Sequence, residues 1–200
     1  MCYWMRLRGR LLAVCISFTL ITTLCPSAFA QGVRTEHVNI NGVVQAKSNW
    51  CWAACAETVG TTLYPSSQRD QYDVVKYIKG TPDDPYPNVP GYTEDSAEGS
   101  EYVTYNRFQF GRTTSPFSFL DIESDIADGF PIQASAGYYS GSARSGGHVV
   151  VIYMTQNFDY GEQYINYFDP WDGTNHVCTY SSFCDGSYNG RQYNYTIFVS

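Results

Sequence analysis

The sequence has little positive charge and, beyond its first 30 residues, no apolar run long enough to cross a bilayer. Three of its 12 Lys and Arg residues lie in those first 30, which carry no acidic residue, so the remainder has 9 basic against 19 acidic side chains (9 − 19 = −10). That balance argues against nucleic acid or an anionic membrane surface as a partner. The sequence also shows no internal repeat, which excludes repeat arrays.

Residues 1–30 have the features of a secretory signal peptide in the usual order. Three arginines precede an apolar stretch at 11–25, and Ala-Phe-Ala at 28–30 fits the small-x-small pattern of a cleavage site. A retained membrane anchor is the alternative, but the apolar run is short for a span and no charged stop follows it. We therefore expect a secreted or periplasmic protein that begins near Gln31, with 31–200 as one domain.

Few cysteines remain once the signal peptide is removed: four of the seven. Cys178 and Cys184 enclose a short polar segment, which predicts a local disulfide in an oxidising compartment. Cys51 and Cys55 have helical spacing, which holds Cβ atoms roughly 5–6 Å apart, wider than the ~3.8 Å of a disulfide. At least one free thiol is therefore expected. The two cysteine pairs could instead be zinc ligands, although neither pair has the usual spacing.

Hydrophobic patterning indicates helices first and antiparallel strands afterwards, which is an α+β arrangement. Strand-like alternation also occurs in the lead-in at 37–44, whereas 81–117, rich in Pro, Gly, Tyr and acidic residues, gives no assignable pattern. The predicted helices cover 50–64, 69–80 and 118–129, and the predicted strands cover 131–139, 147–154, 163–170, 176–180 and 192–199.

Four polar residues fall where an acyl-transfer site needs them. Cys51 lies in the first turn of the first predicted helix, with Asn49 as the expected N-cap, and the N–H groups of a helix N-terminus stabilise a thiolate. His148 begins an apolar strand after two glycines, where an imidazole could pair with the thiol. Asp169 ends the next strand and could orient that imidazole. Gln45 could donate its amide, together with the Cys51 N–H, to an oxyanion.

Three further polar residues lie in segments that could also contribute to such a site. His37 lies in the lead-in and His176 in a turn-strand region, and both are expected to be structural. Asp172 lies three residues after Asp169 and competes with it for the orienting role, while an Asp before a Pro is also an ordinary turn signal.

Two short segments resemble those of the papain-like cysteine peptidases. QAKSNWCWAAC, which starts at Gln45, resembles the segment that carries the nucleophile, and GGHVVVIY resembles the strand that carries the histidine. Asp169 falls where the family has Asn or Asp, and Trp171 matches a tryptophan that shields this contact in papain itself. The Trp-Cys-Trp-Ala-Ala-Cys run and the Asp-Pro-Trp motif are most similar to the compact bacterial branch, which includes effector proteases delivered into plants.

The resemblance implies a papain-like fold in which the nucleophile helix packs on a C-terminal antiparallel sheet. It implies a monomeric endopeptidase that acts on proteins or peptides through an acyl-enzyme, without a metal or organic cofactor. The residue roles that it implies are Cys51 as nucleophile, His148 as base, Asp169 as its orienter, Gln45 as oxyanion donor, and Trp52 and Trp171 as shields of the site.

Two other functions remain open at this point. A cell-wall amidase would use the same Cys–His pair, because acyl transfer from peptides and from peptidoglycan stems needs the same machinery. The other open function is that of a non-catalytic secreted binding protein on a papain-like scaffold. The chain departs from papain in lacking the partners of its further disulfides and in leaving no room for a long propeptide.

Overall fold

The computed structural model describes residues 32–140 and 143–200. The predicted signal peptide, 1–30, lies outside the described residues. Within them the chain forms five helices and a seven-stranded antiparallel sheet, which confirms the predicted α+β class and is compatible with a papain-like fold. The same residues contain no helix with the length and apolarity needed to cross a membrane.

Local capping signals explain where the helices begin. Asp70 and Ser118 each accept a hydrogen bond from the backbone N–H three residues later, as part of a capping box. Gly129 follows the fourth helix with a φ of +89°, a conformation that favours glycine at a helix end. The helices are α1 Cys51–Leu63, α2 Gln71–Lys79, α3 Thr93–Val103, α4 Phe119–Ala127 and α5 Tyr180–Asp185.

The sheet is organised around one long strand, β4. Its first part pairs with β3 and its second part with β1, while β5 pairs along the opposite edge. The order across the sheet is β2-β7-β3-β4-β5-β6, with β1 beside β4. The strands are β1 Val33–His37, β2 Phe110–Thr113, β3 Ile132–Ser140, β4 Ala143–Phe158, β5 Gln163–Asp169, β6 Thr174–Thr179 and β7 Arg191–Val199.

The two faces of β4 carry two separate hydrophobic cores. Val149 and Val151 pack with residues of α1, α2 and α3, whereas Val150 and Ile152 pack with α4, α5 and the neighbouring strands. Successive side chains of a strand point to opposite faces, so an uninterrupted apolar run serves both cores. Helix α1, which begins at Cys51, is thereby fixed on one face of the strand that carries His148.

Two segments differ from the sequence prediction. The region 81–117 contains α3 and β2, and the lead-in strand covers Val33–His37 instead of 37–44. The segment 86–91 has no regular structure, but it is held across the start of α1. Trp50 Nε1 donates to the Pro87 carbonyl at 2.9 Å, and Asn49 Nδ2 donates to the Asn88 carbonyl at 3.0 Å. These partners lie almost 40 residues apart, so no local pattern could reveal them.

Candidate active site

Cys51 is the first residue of α1, as expected for a thiol at a helix N-terminus. The N-cap is Trp50 and not Asn49, so that prediction is wrong, because the Asn49 side chain is held by the 86–91 segment. Trp50 and Trp52 are both fully buried. Burial of these two indoles anchors the start of the helix and leaves Cys51 half-buried at the edge of an open cleft.

Cys55, one turn further along α1, lies in a different environment. It is fully buried, and its Sγ donates to the Val149 carbonyl at 3.3 Å. Burial, with smaller contributions from Cys51 and Asp169, raises the pKa of the Cys55 thiol well above its ordinary value. Cys55 is therefore suited to a structural contact between α1 and β4, next to His148.

His148 and Asp169 form a buried pair between β4 and β5. His148 Nε2 lies 2.5 Å from Asp169 Oδ1, and both side chains are under 10 % exposed. Cys51 and His148 line the same cleft, and the interaction with Cys51 contributes to the raised pKa of His148. Since Nε2 is held by the carboxylate, Nδ1 is the ring nitrogen left for the thiol. Thiol, imidazole and carboxylate are thus brought together at one place.

The environment stabilises the ionised forms of this pair. Burial alone would lower the pKa of His148, but its hydrogen bonds to Asp169 and Cys51 outweigh burial and raise the pKa to about 9. For Asp169, burial acts to raise the pKa, and hydrogen bonds from His148, Trp171 and Arg191 lower it to about 2. His148 is therefore an imidazolium and Asp169 a carboxylate at neutral pH.

Cys51 and His148 line a cleft of about 840 Å³, and Asp169 is not part of its lining. Cys51 and the segment 90–94 lie in one part of its lining. Residues of β3 and β4, including Gly146 and His148 itself, line another part, and Trp171 and Arg191 complete it. An opening of this size admits several residues of an extended peptide at the thiol.

The two predicted shielding tryptophans have different positions. Trp171 lines the cleft, is 58 % exposed, and its backbone N–H donates to Asp169 Oδ1 at 2.8 Å. Trp52 is buried under Gly91, where a Cβ would lie 2.4 Å from the indole. Trp171 is thus the tryptophan beside the pair, and Trp52 belongs to the core.

Gln45 lies near the site without lining the cleft. Its Nε2 donates to the carbonyls of Lys47 and Ser48, at 2.9 and 3.0 Å, and its backbone N–H donates to the Pro170 carbonyl at 2.9 Å. Its Oε1 is buried with no hydrogen-bond partner among the described residues. Both hydrogens of the Gln45 side-chain amide are therefore donated to these two carbonyls, and its role as an oxyanion donor stays a prediction.

The predicted disulfide between Cys178 and Cys184 is absent, because both are free thiols in the structure. The intervening residues form α5 instead of a polar loop. Cys178 is buried in the core that α5 covers, and burial raises its pKa to about 12. Cys184 is half-buried against the same core.

A second histidine–aspartate pair lies at the surface, where His176 Nε2 is 2.8 Å from Asp172 Oδ2. Asp172 therefore does not reach His148 in this arrangement. The ligand atoms of Asp169, Asp172 and His176 lie within 4.8 Å of one another, the one such group of three among the described residues. The two cysteine pairs do not form such a group, so the zinc alternative has no support there.

Arg191 is a site residue that the sequence analysis missed. It is the first residue of β7, and its Nη1 donates to Asp169 Oδ2 at 2.9 Å. Nothing in its local sequence, a glycine followed by an ordinary strand, distinguishes it from a solvated arginine. Only the folding of β7 onto β3 brings it to the carboxylate.

The α+β fold and the contact of thiol, imidazole and carboxylate are features of the papain-like cysteine peptidase superfamily, and comparison supports this class. Residues 37–197 match the family model described as the Peptidase_C39 like family, and the chain belongs to that family. A search of curated proteins found no match. The similarity to plant-directed effector proteases stays a prediction.

Proposed function

We propose that the protein is a secreted cysteine endopeptidase in which Cys51 is the nucleophile and His148 the general acid and base. The observation that carries this proposal is the His148 ring, which Asp169 holds through Nε2 and which lines an open cleft together with Cys51. A nucleophile, a base and a group that orients the base are what covalent acyl transfer needs.

In the first half-reaction, the Cys51 thiolate attacks the carbonyl carbon of the scissile peptide bond. The negative charge on the carbonyl oxygen is stabilised by the Cys51 backbone N–H at the start of α1, with Gln45 as the second donor if its amide leaves a loop carbonyl. The His148 imidazolium then protonates the leaving amine. The C–N bond breaks, and the acyl group stays on Cys51 as a thioester.

In the second half-reaction, neutral His148 takes a proton from water as the water attacks the thioester. The C–S bond breaks, the carboxylic acid leaves, and the proton on His148 restores the ion pair with Cys51. Asp169 holds the ring orientation throughout and stays ionised. Each step uses groups of this chain that lie in or beside the cleft.

Endopeptidase activity is tested by one comparison. The mature chain and its Cys51→Ala variant are incubated, under reducing conditions, with a complex peptide library that is read by mass spectrometry. We expect internal cleavages with the unmodified chain alone. Cleavage of muropeptides but not of the library would contradict the endopeptidase assignment and favour the amidase, and no cleavage of either by a folded sample would favour a binding role.

The N-terminus of the protein recovered from the culture medium or periplasm tests the export part separately. A first residue at or near Gln31 is expected. An intact Met1 in a membrane fraction would contradict secretion and favour a retained anchor.

A further inference from the structure

Arg191 is a charged side chain in the cleft to which the proposed mechanism gives no role. Its side chain is 20 % exposed, its Nη1 donates to Asp169 Oδ2 at 2.9 Å, and its guanidinium carbon lies 5.1 Å from the ring centroid of Tyr138. The guanidinium is therefore held between a carboxylate and an aromatic ring.

The contact with Arg191 divides the two oxygens of Asp169 between different partners. Oδ1 accepts from Trp171 N–H and lies against His148 Nε2, whereas Oδ2 accepts from Arg191. The last torsion of an aspartate is soft, because rotation about an sp³–sp² bond has only broad minima. A charge-assisted bond to Oδ2 restricts that rotation and keeps Oδ1 directed at the histidine.

Arg191 also balances the charge of the site. In the reactive form Cys51 and Asp169 are negative and His148 is positive, so these three groups alone leave one uncompensated negative charge. An unpaired charge at buried groups is unfavourable, and Arg191 brings the total to zero. The titratable and charged groups that face Asp169 from the surrounding elements are His148, Arg191, Cys55, Tyr167, Asp172 and His176, and Cys51 interacts with His148.

We propose that Arg191 is a positioning residue for the catalytic pair: it fixes the Asp169 carboxylate so that Oδ1 remains on His148 Nε2. This inference rests on the proposed function. It assigns to β7 a part in the reaction, in addition to α1, β4 and β5.

The test is Arg191→Met, which keeps the length of the side chain but removes its charge and its donors. We expect kcat to fall about 10- to 100-fold, as for other misplacements of a catalytic group, with KM little changed. The alkaline limb of the kcat profile should move to lower pH, because a His148 with a displaced Asp169 loses its proton more easily. Arg191→Lys keeps one charged donor and should restore part of the activity and of the profile.

Arg34→Met is the matched control. Arg34 Nη1 lies 3.5 Å from Glu123, another buried carboxylate, and Arg34 is outside the cleft lining. Loss of this ion pair should leave kcat and the pH profile unchanged. Thermal unfolding of each variant and titration of active Cys51 correct for any loss of folded protein.

The same question is answered without a substrate by the rate at which iodoacetamide alkylates Cys51 across the pH range. If the unmodified chain cleaves no peptide, the proposed function fails, and this rate still reports on the Cys51–His148 pair. An unshifted alkaline limb and alkylation profile in Arg191→Met would overturn the positioning role. A change in KM alone, or an equal loss in Arg34→Met, would overturn it as well.

Discussion

Two histidine–aspartate pairs lie close together in this molecule, and only the first has its histidine in the same cleft as a cysteine thiol. In the first, His148 Nε2 and Asp169 Oδ1 are 2.5 Å apart and the side chains are 7 and 6 % exposed. In the second, His176 Nε2 and Asp172 Oδ2 are 2.8 Å apart and the side chains are 27 and 42 % exposed. The contact distances are similar, so distance alone does not distinguish them.

What separates the pairs is the group on the other side of each imidazole. The His148 ring interacts with the Cys51 thiol. The His176 ring stacks on the Tyr167 ring, and its Nε2 also lies 3.0 Å from Thr174 Oγ1. An exposed ion pair contributes little to stability because water screens its charges. A buried pair, in contrast, strongly shifts the pKa values of its members. A histidine–aspartate contact is a candidate catalytic site when the pair is buried and a nucleophile lies beside the imidazole.

The largest expected difference is between the two histidines. His148→Ala should lower the rate of peptide cleavage by about 10⁴-fold or more, because the thiol loses both its base and the acid for the leaving amine. His176→Ala should leave the rate within about twofold, since His176 bonds to Asp172 and Thr174 and not to His148 or Cys51, and substitutions of such partly exposed side chains usually have little effect. The measurement is kcat/KM on one peptide found in the library. Equal losses in the two variants would contradict the assignment of His148.

The two aspartates should differ less. Asp169→Ala is expected to lower kcat by about 10²-fold, because the thiol and imidazole remain but the ring is no longer held in place. Asp172→Ala should leave kcat unchanged. If Asp169→Ala were as damaging as His148→Ala, the carboxylate would have more than an orienting role. If Asp172→Ala were the more damaging, the orienter would be misassigned.

A smaller effect is expected in the pH dependence. The pKa of His148 is raised to about 9, so the imidazolium that protonates the leaving amine persists below that pH and is lost above it. Activity measured from about pH 6 to about pH 11 should therefore decline with a midpoint near 9. His176→Ala should show the same alkaline limb. A limb near the ordinary histidine pKa of about 6.5 would show that Asp169 does not support His148.

The smallest effect concerns the strand that carries His176. A disulfide between Cys178 and Cys184 would stabilise the fold by about 2 kcal/mol, and its reduction would lower the melting temperature by about 4 to 8 °C. Because both thiols are free in the structure, we expect no change on adding a reductant. The check is thermal unfolding with and without reductant, in parallel with Cys184→Ser. A fall of several degrees in the unmodified chain alone would restore the predicted disulfide.

The sequence predicted those parts of the molecule that depend on local patterns. The helices that begin at Cys51, Gln71 and Phe119 and the strands from Ile132 onwards all have signals within a few residues of themselves. The segments that resemble papain-like peptidases are local as well. For this reason the class of fold and the candidate nucleophile, base and orienter could be inferred without a structure.

The remaining features depend on contacts between distant residues. The 86–91 segment is ordered by side chains at the start of α1, almost 40 residues away, and Arg191 reaches Asp169 across 22 residues. Residues 180–185 form a helix and Cys178 and Cys184 are free thiols, and a short polar run reveals neither. Periodicity and spacing carry no information on such contacts.

The central claim is that Cys51 carries the acyl group during peptide cleavage. It is tested most directly by acid-quenching the enzyme within its first turnover of a cleavable peptide and locating the adduct by mass spectrometry. We expect the mass of the acyl half of the peptide on the fragment that contains Cys51, present in the unmodified chain and His176→Ala and absent in Cys51→Ala. Cleavage without any adduct, or an adduct on Cys55, Cys178 or Cys184, would contradict the account.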